Sequence, residues 1–181
     1  MIEQLPSQPN GAVPNSRFPL LIHRGAVPGG GAEAILERFR ANRWLNNWRY
    51  PGVYEYGHFH STTHEALGVA QGWMEVALFG QGGQTVRVEA GDVIVVPAGV
   101  SHCMVGHSED VLMVGGYPDG RDWDNMQDAH VTEEARRAAL KRIMMLPIPE
   151  RDPVTGGSMD EWIEAPSSVE AGLNEQRDAL G

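Results

Sequence analysis

His58-Phe59-His60, Glu65 and His102 are the side chains of this 181-residue chain best suited to chemistry. Three imidazoles and one carboxylate form a donor set for a divalent transition metal ion (Fe, Mn, Ni, Zn, Co or Cu) and suit Ca and Mg poorly. In an extended strand, residues two apart project from one face, so His58 and His60 point the same way. Glu65 opens the next β-like run, beyond a polar Ser61-Thr62-Thr63 turn, and shares its face with Leu67 and Val69. His102 follows Pro97-Ala98-Gly99 and shares its face with Met104. A curled sheet would bring these four donors to a single ion. Around an octahedral divalent ion they leave a net charge of about +1 and roughly two open positions. Such an ion polarises a carbonyl or stabilises an enolate, and Fe or another redox metal adds oxygenase chemistry. Both routes favour a small anionic or chelating organic molecule.

Two further residues are candidates for catalysis. Tyr56, with Tyr54, is in phase with the histidines, and its phenol could donate to a bound substrate; Tyr54 reads as core filler. His64 neighbours Glu65 and points to the opposite side if the strand is regular, whereas a turn or bulge would bring it inward as a base. Cys103 is out of phase with His102 and reads as a buried, inert thiol. As the only cysteine it excludes an intramolecular disulfide and a Cys-rich zinc site. Trp44, Trp48 and Trp123 read as packing anchors, and Met74, Val76, Leu78, Val93, Val95, Met104 and Met113 as core or cavity lining.

The elements that position these groups are short. Glycine-punctuated β-like runs at 53–60, 64–71, 73–80, 84–89, 92–96, 101–105 and 110–117 predict an antiparallel sandwich or barrel. Residues 18–24 read as a first strand, and 32–43 as an inserted helix with Ile35, Leu36 and Phe39 on one face. The β body therefore spans 18–120, preceded by an arm or loose tail over 1–17, where three prolines interrupt any periodicity. Residues 121–181 belong to the same domain. Thr132 caps a helix running to about Met145, with Lys141 and Arg142 in its last turn and Pro147 beyond. Residues 147–181 read as an irregular wrap around the barrel or a partner, Trp162 included, ending in a frayed tail.

The net charge of −10 and a pI near 5.1 repel phosphate backbones and anionic lipid, which argues against nucleic-acid and membrane partners. The first residues lack the basic and apolar regions of a signal peptide, and no apolar run approaches a membrane span. A cytoplasmic location is expected.

Gly52, His58, His60, Glu65 and Gly72 stand at the spacing of the first cupin motif, over 52–72. Gly91, Pro97, Gly99 and His102 match the second, over 91–106, which usually ends in Asn where this chain has Gly106. The chain thus resembles the cupin superfamily over roughly 50–117. The runs His58–Gly68 and Gly115–Asp124 resemble the YjlB-like branch of small bacterial cupins. The resemblance implies a mainly β, single jelly-roll barrel, metal ligands His58, His60, Glu65 and His102, and a homodimer. It fits a metal-dependent enzyme acting on a small molecule, oxygenase ahead of isomerase, epimerase or lyase. A non-catalytic, metal-dependent binding or sensing protein is the alternative.

Overall fold

The computed structural model describes residues 1–165; the frayed end expected beyond them lies outside the described residues. In chain order the elements are β1 (Ile2–Leu5), β2 (Leu20–His23), α1 (Ala32–Ala41), β3 (Trp44–Tyr50), β4 (His58–Phe59), β5 (Glu65–Gln71), β6 (Trp73–Leu78) and β7 (Gln84–Glu89). There follow β8 (Val93–Val96), β9 (His102–His107), β10 (Leu112–Pro118), β11 (Met126–Gln127), a 3-10 turn at Asp128–His130, α2 (Glu133–Met145) and α3 (Asp160–Ile163). All strand pairings are antiparallel. They form a six-stranded sheet, β1-β2-β8-β5-β10-β3, and a five-stranded sheet, β11-β4-β9-β6-β7. No strand pairing joins the two sheets among the described residues, so the jelly roll is two facing sheets and not a barrel closed by hydrogen bonds.

The space between the sheets is filled by the inward residues of both, among them Leu20, Ile22, Leu67, Val69, Met74, Val76, Leu78, Ile94, Met104 and Met113. β6 alternates buried and half-buried residues, because its sheet packs against the core on one face only. β2, β5 and β8 are buried almost throughout. Their outer face carries a second apolar layer, in which Ile35, Leu36 and Phe39 of α1 meet Leu21, Ala66, Val93, Val95 and Val114. Val93 and Val95 therefore belong to this outer layer and do not line the cavity.

The last described segment completes that layer. Trp162 is buried against Phe18, rings stacked 5.1 Å apart, and donates its indole N–H to Pro19 O at 2.9 Å. His23 Nε2 stands 3.0 Å from Asp152 Oδ2, both side chains buried, though off the line of a good hydrogen bond. The described part of the wrap, up to residue 165, thus lies on the chain's own six-stranded sheet. α2 begins as the sequence implies: Thr132 Oγ1 accepts from Ala135 N–H at 3.1 Å.

Three local expectations change. The arm over 1–17 contains β1, which pairs with β2 from Ile2↔His23 to Leu5↔Leu20. Its loop is clamped by Asn10 and Asn15, whose amides both donate to Phe79 O. The strand expected over 53–60 shrinks to His58–Phe59, because Tyr54 and Gly57 give their carbonyls to Met104 and Asp128 instead of to a regular ladder. β3 had no strand signal: Asn46 takes a left-handed φ of 53°, and the β10–β3 register slips between Gly115 and Tyr117, a bulge in the edge strand.

Candidate metal centre

The pairing of β4 with β9 sets His58 directly opposite His102, their ring centroids 4.2 Å apart. His60 follows two residues on, its ring 5.3 Å from that of His58. Glu65 enters from the facing sheet at the start of β5, opposite Val96. Gly52, the first motif glycine, has φ of 118° and packs against the Met104 thioether, where a Cβ would lie 2.6 Å from Sδ. One candidate nitrogen from each of His58, His60 and His102 lies within 4.8 Å of the others. Glu65 Oε2 is 3.2 Å from His60 Nε2 and 3.3 Å from His102 Nε2. All four side chains are buried.

Backbone carbonyls fix the tautomers. His58 Nδ1 lies 3.2 Å from Tyr56 O, His102 Nδ1 lies 3.1 Å from Val100 O, and His60 Nδ1 is hydrogen-bonded to Asp124 O. A carbonyl only accepts, so each Nδ1 is the donor and each neutral ring turns the bare lone pair of Nε2 inward. With the three rings neutral, three lone pairs and a carboxylate oxygen face one point with no donor among them. A single cation satisfies all four, so the residues fit a metal ion.

The electrostatics have the same origin. Burial, reinforced by His102 and His60, lowers His58 to about 3. Burial also works against a charge on His60, but the adjacent Glu65 outweighs it and raises this imidazole. Burial would raise Glu65, yet His60 and His102 hold it well below the carboxylate range.

The centre stands at the buried end of a cavity of about 340 Å³, whose walls include Asn47, Trp48, Val53, Tyr54, Tyr117 and Trp123. Tyr117 donates its hydroxyl to Glu65 Oε1 at 3.0 Å and accepts the indole N–H of Trp48 at 3.0 Å. Asp124 ties down the Ser61–Thr63 turn by accepting from the Ser61 and Thr62 amides and from both hydroxyls, while its own backbone carbonyl accepts from His60 Nδ1–H. The Trp123 ring packs at 5.7 Å, edge to face, on His60.

The structure brings His58, His60, Glu65 and His102 together and leaves the two candidate catalytic residues outside. Tyr56 is 39% exposed, stacks on Tyr54 with ring centroids 4.9 Å apart, accepts from Asn125 Nδ2 at 2.8 Å, and does not line the cavity. His64 lies on the far side of the sheet, its ring 4.8 Å from Trp162 and 6.2 Å from Phe18, because residues 64 and 65 project oppositely. Its Nδ1 accepts the Ala98 N–H at 2.9 Å, and burial lowers it to about 4. Tyr117 and Asp124 are the site residues the sequence reading did not single out. Their one signal was their place in the Gly115–Asp124 run. Trp48 and Trp123, read as packing anchors, are cavity wall.

Two facing antiparallel sheets with three histidines and a glutamate converging at one end define the cupin class, and this chain belongs to the cupin family. The Cupin domain model matches residues 50–114. Among known proteins, the chain is 35% identical over 149 residues to YjlB of Bacillus subtilis (strain 168), described as uncharacterized, an alignment covering 81% of this chain and 86% of that one. Solved structures similar to it include acireductone dioxygenase from Bacillus anthracis, with cadmium in its active centre (14% identity, TM-score 0.41, 57% of this chain and 80% of that one). Another is oxalate decarboxylase from Bacillus subtilis (19% identity, TM-score 0.38, 71% of this chain and 33% of that one).

Proposed function

We propose that this chain is a metal-dependent cupin enzyme. His58, His60, Glu65 and His102 hold one divalent transition metal ion, and a small anionic or chelating organic molecule reacts beside it. Oxygenase chemistry is favoured over isomerase, epimerase or lyase chemistry. The observation that carries this reading is the convergence of the three buried imidazoles, one nitrogen of each within 4.8 Å of the others, with Glu65 Oε2 at 3.2 Å from His60 Nε2 and 3.3 Å from His102 Nε2. When bound, the ion supplies Lewis acidity and, if redox-active, oxygenase chemistry.

The chain's own residues supply the rest. The cavity has room for a small molecule and is walled by Trp48, Val53, Tyr54 and Trp123. The Tyr54 phenol, raised by burial and by its Tyr56 and Glu65 neighbours, stays protonated at neutral pH and can donate to a molecule in the cavity. That makes Tyr54, and not Tyr56, the phenol assigned to substrate. His64 receives no proton-transfer role.

Elemental analysis of protein purified without added metal tests the reading, with one transition metal ion per chain expected. If the ion is iron, oxygen uptake with a panel of small carboxylates and phenols follows. Zinc, with no turnover and a ligand-induced rise in Tm, would instead support the binding or sensing protein. A chain with no metal and no metal affinity would overturn both. Sedimentation tests the homodimer against the 19.8 kDa chain. No described helix is long and apolar enough to cross a membrane.

A further inference from the structure

We propose that Tyr117 is a positioning residue for the metal centre: its hydroxyl engages Glu65 Oε1, so that the carboxylate meets the ion through Oε2 alone. The inference rests on the metal reading above and concerns how the chain presets one of its four donors.

A tyrosine hydroxyl has one proton to give. The indole of Trp48 is a donor only, and it stands 3.0 Å from the Tyr117 oxygen. The phenol must accept there, so its proton is committed to Glu65 Oε1, 3.0 Å away. Both carboxylate oxygens are then assigned, Oε1 to Tyr117 and Oε2 to the point between His60 and His102. Tyr117 is only 2% exposed, so bulk water does not compete for the bond.

Backbone structure builds this chain of bonds from three strands. In the β5–β10 pairing Gly116 stands opposite Ala66, and one step further along each strand come Tyr117 and Glu65. On the other side of β10, Trp48 pairs with Gly115. A Cβ at Gly115 would fall 2.1 Å from Trp48 Cε2, so only glycine there lets the indole lie across β10 and reach Tyr117. The register slip between Gly115 and Tyr117 lies at the same place. The Gly115-Gly116-Tyr117 run and the irregular edge strand β3 thus serve one hydrogen-bond relay, Trp48 to Tyr117 to Glu65.

The test uses Co(II) as the probe, with affinity measured by chelator competition and coordination followed in the visible absorption of the loaded protein. Tyr117→Phe keeps the ring and removes the proton. It is expected to weaken Co(II) binding by about 10–100-fold and to change the visible spectrum, since Oε1 is released. Trp48→Phe, which leaves the Tyr117–Glu65 bond but frees the phenol, should move both readouts the same way by less. It also carries the test if Tyr117→Phe does not fold. Wild-type affinity and an unchanged spectrum in Tyr117→Phe, or in Trp48→Phe where only that variant folds, would overturn the role of Tyr117 and leave the metal reading intact. Wild-type protein that takes up no Co(II) would instead remove the metal reading, and this inference with it.

Discussion

His64 and Glu65 are adjacent in the chain and opposite in fate. Glu65 enters the space between the sheets and meets two imidazoles; His64 enters the outer apolar layer and meets Trp162 and Phe18. Glu65→Ala removes the one carboxylate of the donor set and is expected to lower the metal content of purified protein well below that of wild type, read by elemental analysis; unchanged occupancy would show that Glu65 is not a ligand. For His64 the observable is stability against pH. Its Nδ1 accepts from Ala98, so its proton sits on Nε2, which lies near the Pro147 carbonyl without hydrogen-bond alignment. Burial holds the folded-state value at about 4, below the unfolded value of about 6.5. Between those values the unfolded chain binds a proton that the folded chain does not, so stability falls as pH falls through that window. From pH 7 to pH 5 the loss from His64 is about 2 kcal/mol. His64→Asn keeps an acceptor for Ala98 and removes the titration. Urea unfolding of metal-free protein at the two pH values should therefore show a drop smaller by that amount in the variant. Equal drops would place His64 in contact with water.

At the scale of elements, the strap that follows β10 matters more than its irregular structure suggests. Asp124 has its carboxyl held below the usual range because bonds from Ser61 and Thr62 outweigh the cost of burial. Asp124→Ala releases the turn that joins His60 to Glu65. It should cost about 1–3 kcal/mol in stability and weaken metal binding as well, since the carbonyl that fixes the His60 tautomer moves with the strap. A loss of stability with unchanged metal affinity would confine Asp124 to a structural role. None of this was readable from periodicity, because the strap has no repeat and its bonds run to residues about sixty positions away. What was legible was local. The two histidines at strand spacing, Glu65 in phase with Leu67 and Val69, and Thr132 as the cap of α2 all lie where the pattern puts them. β3 was not legible, because a left-handed Asn46 and exposed Leu45 and Tyr50 erase its alternation. Nor was the shortness of β4, since the residues before it are extended yet bonded outside the ladder.

For the whole molecule, the metal centre and the outer layer are separable sources of stability on opposite faces of one sheet. An ion bound only by the folded chain adds RT ln(1 + [L]/Kd), about 2.7 kcal/mol at one hundred times Kd. The outer layer holds the last described segment through Trp162 and through Asp152, which faces His23 and also accepts the Val154 and Thr155 amides. His23 pairs with Val93, as does Gly68 three residues beyond Glu65, and the His23 side chain lies on the face away from the ligands. Asp152→Ala leaves the Val154 and Thr155 amides without their acceptor, at a cost of roughly 1–3 kcal/mol. Because that site shares no group with the metal centre, its effect should add to that of the ion. The Tm of metal-free protein should fall in both Asp152→Ala and Asp124→Ala. The gain in Tm on adding metal should match wild type in Asp152→Ala and shrink in Asp124→Ala. Calorimetry with and without chelator reads all four quantities. A shrunken gain in Asp152→Ala would mean that the outer layer sets the metal geometry through the sheet, and that the two faces act as one unit.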